Sequence, residues 1–167
     1  DVYKRQQESL VESLDCKMEP LPENWQQACA ALQACLPAGI CAVKIEPAGM
    51  DPSEIASAVY EVRYPVQMRQ DVLRAVQAYN TVPQALAEKK GKKGKIKQID
   101  LKQYLPALEV QEKDGAVFFS VQLPAGNTLT VNPALLLDYL ENEAGLPSGA
   151  PRILRVALKT QSNENFC

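Results

Sequence analysis

The chain contains no histidine. This excludes Ser-His-Asp and Cys-His nucleophilic catalysis within it, and any histidine-ligated zinc. Acid–base work would fall to carboxylates, Lys, Tyr or Cys, which need strongly tuned pKa values to do it. No apolar run reaches the ~18–20 residues that span a bilayer, so no membrane contact is expected. The first residues are polar and lack the apolar stretch of a signal peptide. None of the five cysteines (Cys16, Cys29, Cys35, Cys41, Cys167) forms a C-x-x-C pair, and the count is odd. They read as cytoplasmic thiols, with no metal site expected. Aromatic residues are few, at 6%. What remains is the composition of an ordinary globular protein, 46% hydrophobic and 23% charged over 167 residues.

One segment departs from this background. Six of the 18 basic residues lie between Lys89 and Lys97: Lys89, Lys90, Lys92, Lys93, Lys95 and Lys97. With those lysines and Glu88 removed from the 18 basic and 20 acidic residues, 12 cations face 19 anions, a balance of −7. A concentrated positive site therefore sits on an acidic protein of net charge −2. Gly91-Lys92-Lys93-Gly94-Lys95 lacks the G-x₄-G-K-[ST] spacing of a nucleotide loop and the helix that should follow. Its glycines and lysines suit a hairpin turn that could approach a phosphate backbone; a solvated turn or a protein-docking surface are the alternatives.

Periodicity gives the coarse organisation. Leu10, Leu14, Cys16 and Met18 predict a strand over 9–19. Trp25, Ala28, Cys29, Leu32 and Leu36 predict a helix over 23–36, ended by Pro37-Ala38-Gly39. Cys41, Val43 and Ile45 predict a second strand, 41–46. Gly49 to Ser53 reads as a boundary, with a short helix over 52–58. Tyr60, Val62, Tyr64 and Val66 alternate as a strand, followed by a helix over 68–79. Segments 82–86 and 95–101 are expected to pair across the lysine turn. Leu108 and Val110 begin a strand that returns through Asp114-Gly115, the strongest hairpin signal in the chain. On the returning strand Phe119 is expected in the core and Phe118, facing the other way, exposed. Asn132 and Pro133 cap a helix that ends at Gly145, and 153–158 is the last strand. The fold class expected is α+β: tandem ferredoxin-like modules, antiparallel sheets with helices on one face. Residues 7–50 would be the C-terminal half of an incomplete first module and 51–161 a complete second one. Residues 162–167 read as a tail. Asp1 to Gln6 resembles translated sequencing-adapter read-through, so truncation upstream is expected.

Three stretches resemble a bacterial family, the radical SAM-associated domain of unknown function. They are Leu14-Asp15-Cys16-Lys17-Met18-Glu19-Pro20 with Leu36-Pro37-Ala38-Gly39-Ile40; Tyr60-Glu61-Val62-Arg63; and Lys92-Lys93-Gly94-Lys95-Ile96-Lys97-Gln98-Ile99-Asp100-Leu101 with Arg152-Ile153-Leu154-Arg155. The family's opening segment, with its histidines, has no counterpart here. The resemblance implies partnership with a radical SAM enzyme, fused or separate, in an RNA or ribosome context. S-adenosylmethionine and an iron–sulfur cluster would belong to that partner, and no catalytic residue carries over.

The function expected is that of a non-catalytic accessory domain in the cytoplasm, binding RNA or a ribosome-linked substrate. The candidate binding residues are Lys89, Lys90, Lys92, Lys93, Lys95, Lys97 and Asp100, with Arg63, Arg152 and Arg155 extending a basic surface from the free sheet face. A fragment of an RNA-modifying enzyme and a protein–protein adaptor are the alternatives.

Overall fold

The computed structural model describes residues 7–90, 96–149 and 151–166. The described residues divide into two compact units: those of 7–12 and 52–166, and those of 13–51.

The larger unit is a mixed α+β structure built on a five-stranded sheet of order β1-β7-β2-β6-β5. Strand β2 (Ile55–Pro65) lies at its centre, and alternation decides its facing. Ala58, Tyr60, Val62 and Tyr64 are at most 6% exposed, while Val59, Glu61 and Arg63 between them are half-buried. Strand β6 (Ala116–Pro124) matches this register, setting Val117, Phe119, Val121 and Leu123 beside those core residues. Strand β5 (Val110–Lys113) pairs antiparallel with β6 through a two-residue turn. Asp114 (φ 52°) and Gly115 (φ 72°) both take the left-handed conformation that such a turn requires. Strand β7 (Arg152–Thr160) runs antiparallel to β2, and β1 (Gln7–Ser9) adds a short parallel edge to β7.

Helices cover one face. Helix α2 (Arg69–Thr81) buries Val72, Ala75, Val76 and Tyr79, a spacing of 3, 1 and 3 that keeps one stripe on the core. Helix α3 (Pro133–Asn142) starts where the Asn132 side chain accepts the Ala134 N–H at 2.9 Å, and it buries Leu136, Leu137 and Leu140. Each fully buried Leu or Phe contributes about 1.5–3 kcal/mol. The β-strand starts earlier than the alternation from Tyr60 suggested. Only a 3₁₀ turn, Pro52–Glu54, precedes Ile55, so the short helix expected over 52–58 is replaced by strand paired on both sides.

Between α2 and β5 the chain makes a separate two-stranded ribbon, β3 (Leu86–Lys90) with β4 (Ile96–Asp100). The hairpin is the one expected, but β3 begins four residues later than 82. Residues before it are occupied otherwise: the Ala85 N–H is taken by Asp100 Oδ1 at 3.1 Å.

The smaller unit carries one regular element, helix α1 (Trp25–Cys35), capped by Asn24 through the Gln27 N–H at 3.0 Å. The Gln33 side chain closes the following loop, donating to the Ile40 carbonyl (3.2 Å) and accepting the Ala42 N–H (2.8 Å). No residue from 13 to 51 is buried. The strands expected over 9–19 and 41–46 are not formed; only Gln7–Ser9 is strand, and it joins the larger unit's sheet. Leu14 and Val43 are 88% and 82% exposed, so the apolar alternation that suggested strands has no partner strand to satisfy its backbone and no core to face.

Candidate nucleic-acid interface

The ribbon is anchored at the end where Leu86 meets Asp100. Cross-strand partners run Leu86↔Asp100, Ala87↔Ile99, Glu88↔Gln98, Lys89↔Lys97 and Lys90↔Ile96. Ala87 and Ile99, both 6% exposed, form the buried pair, and β3 lies against α3. Alternation puts Lys89 and Lys97 on the same ribbon face as that pair, and Glu88 on the other. Lys89 is half-buried, with Nζ donating to the Thr130 carbonyl at 2.7 Å. Lys97 is exposed, and among the described residues no carboxylate pairs with it. Lys90 ends β3, while Lys92, Lys93 and Lys95 lie outside the described residues.

Asp100 secures the root of the ribbon. Its Oδ1 accepts the N–H groups of Ala85 and Lys102, each at 3.1 Å, and caps the 3₁₀ turn Leu101–Gln103. The Leu101 N–H closes the same corner on the Ala85 carbonyl at 2.8 Å. Beneath the turn, Lys102 Nζ sits 4.2 Å from the Tyr79 ring centroid and donates to the Pro106 carbonyl at 2.9 Å. The Tyr79 hydroxyl donates to the Leu105 carbonyl at 2.6 Å, and its ring meets Tyr139 edge-on at 5.8 Å. Burial pushes the Tyr79 phenol far above its ordinary value, and the Asp100 and Tyr139 charges push the same way. Tyr139 is raised by burial, then by Glu143 and Asp100. Both tyrosines are thus held neutral and structural.

The three arginines are brought together with acids rather than with the ribbon. Arg63 donates through Nε (3.0 Å) and Nη2 (2.6 Å) to Glu61, two residues before it on the same strand face. Arg152 makes a two-point pair with Glu8 at 2.8 and 2.5 Å. That hydrogen bond holds the Glu8 carboxyl below its ordinary value and raises Arg152. Arg155 pairs with Glu12 and donates to Ser9 Oγ at 3.3 Å. Arg63 and Arg152 face each other in register on the open side of the sheet, whereas Arg155 aligns with the core residue Tyr60 and so leaves from the opposite side. Glu61 was legible from the i, i+2 spacing; Glu8 and Glu12 lie far away in sequence and gave no such signal.

Phe118 is 7% exposed, contrary to the exposure expected from its facing. It lies on the open face between Arg63 and Gln111 of the neighbouring strands, and the Arg63 guanidinium carbon stands 5.3 Å from its ring centroid. Long side chains laid across an aromatic ring cover it without any helix.

Elsewhere, a groove of about 600 Å³ runs along the outer side of α2, lined by Gln70, Leu73, Arg74, Gln77, Asn80 and Val110 among others. Among the described residues no group of three or more Cys, Asp or Glu is placed to hold a metal ion, and no helix is long and apolar enough to cross a membrane.

A family model described as "Uncharacterized protein conserved in bacteria (DUF2344)" matches residues 7–133. That span includes the whole ribbon and stops as α3 begins, before Arg152 and Arg155. No curated protein and no solved structure matches the chain.

Proposed function

The chain belongs to this family of uncharacterized bacterial proteins, and on that premise we propose that it is a non-catalytic accessory module whose β3–β4 ribbon holds the phosphate backbone of RNA. The observation that carries this reading is the contrast in charge pairing. Arg63, Arg69, Arg74, Arg152 and Arg155 each pair with an acid of the same unit, while Lys89 and Lys97 stand opposite one another without a carboxylate among the described residues. Like charges directly opposed across strands destabilise a sheet, and an external polyanion relieves that cost. Lys90, Lys92, Lys93 and Lys95 add to the same end of the ribbon in sequence. Asp100 shapes the corner rather than touching RNA.

Two features support the wider reading. The order β7-β2-β6-β5, with α2 and α3 each leading across the sheet between non-adjacent strands, supports a ferredoxin-like module over 51–161 with the ribbon inserted in it. The tandem arrangement, with 7–50 as half of another such module, rests on the strand–helix–strand periodicity of 9–46, and the two strands that it needs are not formed. The exposed Leu14, Leu21, Ile40 and Val43 of the smaller unit favour a protein partner there. In this reading the partner is a radical SAM enzyme of the cytoplasm, which brings the S-adenosylmethionine and iron–sulfur cluster. Replacing Lys92, Lys93, Lys95 and Lys97 with alanine is expected to abolish retention on immobilised RNA at low salt. A wild-type chain that is not retained contradicts the RNA reading. Co-purification with a radical SAM enzyme that survives nuclease and high salt checks the partner.

A further inference from the structure

We propose that Lys89 and Lys97 form a two-ammonium clamp for a single phosphate group, with the Thr130 carbonyl holding one arm in place. The clamp rests on the reading of the ribbon as a phosphate-binding surface and gives that surface a defined centre.

Four observations build it. The two lysines are direct cross-strand partners, so their side chains leave the same ribbon face, with Cβ atoms about 4.5–5.5 Å apart. No acidic residue of the ribbon shares that face at their end: Glu88 belongs to the other face, and Ala87 and Ile99 are buried. The Lys89 ammonium spends one of its three donors on the Thr130 carbonyl, which leaves two for an anion. Thr130 is itself fixed. Its strand bridge to Ala125, its hydroxyl on the Gly126 carbonyl (3.1 Å) and the Val131 N–H on the Pro124 carbonyl (2.8 Å) close the loop that carries it. Gly126 lets that loop sit tightly, since a Cβ there would stand 2.8 Å from the Ile55 carbonyl oxygen. One arm is therefore held and the other, Lys97, is free to close. A phosphate offers several oxygens to the donors of both arms.

The test uses the full chain with two probes, inorganic tripolyphosphate and a fluorescein-labelled oligouridylate. Lys89→Gln and Lys97→Gln are each expected to weaken tripolyphosphate binding about tenfold. The double variant should lose little more than either single one, because losing one arm dismantles the clamp. Lys113→Gln, on the β5–β6 hairpin of the sheet, should leave binding unchanged. Additive losses, or losses no larger than that of Lys113→Gln, overturn the clamp. Lys97→Glu sets opposite charges face to face; it should raise Tm by about 1–3 °C while abolishing binding. A fall in Tm means the pair is not apposed and also overturns the clamp. Oligouridylate binding that survives the double variant overturns the clamp and leaves the RNA reading standing. Pair-dependent tripolyphosphate binding without oligouridylate binding supports the clamp and overturns the RNA reading.

Discussion

The sheet and the ribbon both carry cations, and they treat them differently. On the sheet each arginine meets an acid: Arg152 forms a two-point pair with Glu8, Arg63 sets two nitrogens on one Glu61 oxygen, and Arg155 reaches Glu12 through one nitrogen. Planar, forked guanidinium groups suit such fixed pairing. On the ribbon the cations are lysines, Lys89 set opposite Lys97, and Lys89 donates to a backbone carbonyl rather than to an acid. The difference teaches where to look for a ligand. Lysines without an acid also occur singly on the sheet, at Lys113 and Lys159 among the described residues; what sets the ribbon apart is that two of them, Lys89 and Lys97, are directly opposed.

That contrast can be broken at several points. Phe119→Ala removes a ring at 0% exposure from the centre of the core and should cost about 3–5 kcal/mol, read by denaturant unfolding. RNA affinity per folded molecule should not change. Tyr79→Phe leaves the buried Leu105 carbonyl without its donor and should cost about 1–3 kcal/mol. The same variant tests a pH dependence. A phenol whose pKa is raised by folding contributes stability that is complete below its ordinary value of 10.0 and lost as pH rises through the raised value. Thermal melts of the wild type should therefore fall above pH 10, and Tyr79→Phe should flatten that arm. Arg63→Ala uncovers Phe118 and strips Glu61 of its partner, for a loss of about 1 kcal/mol. If it also weakens RNA binding as much as a ribbon lysine does, the division between sheet and ribbon fails. Glu8→Gln should have the smallest effect. The Glu8 carboxyl is lowered by Arg152, so its contribution is present above pH 4.5 and lost as pH falls through the lowered value. Acid melts compared with wild type read that small term, with RNA binding unchanged.

How much of this was legible in the sequence depended on whether a pattern had a partner to act on. The alternation of Tyr60, Val62 and Tyr64, the Asp114-Gly115 turn and the Asn132-Pro133 cap all appear as read, because local chemistry and tertiary packing agree there. The alternation of Leu14 with Cys16 and of Val43 with Ile45 is just as clear. It makes no strand, because 13–51 offers no neighbouring ladder and buries no side chain. The lysine hairpin was legible from composition. The pairing of its members was not, since register decides that Lys89 faces Lys97, and Thr130 reaches Lys89 from 41 residues away. Arg152 and Arg155 misled for the same reason: their acids lie on β1 and just beyond it, 144 and 143 residues distant.

The central claim is that the ribbon lysines, and not the sheet arginines, meet a phosphate backbone. The salt dependence of oligouridylate affinity tests it most directly. Each phosphate contact contributes about 0.7 to the slope of log K against log salt for a single strand. Replacing Lys92, Lys93, Lys95 and Lys97 with alanine should reduce that slope by about 3, while Arg63→Ala leaves it unchanged. An unchanged slope in the lysine variant, or an equal reduction in the arginine variant, contradicts the account.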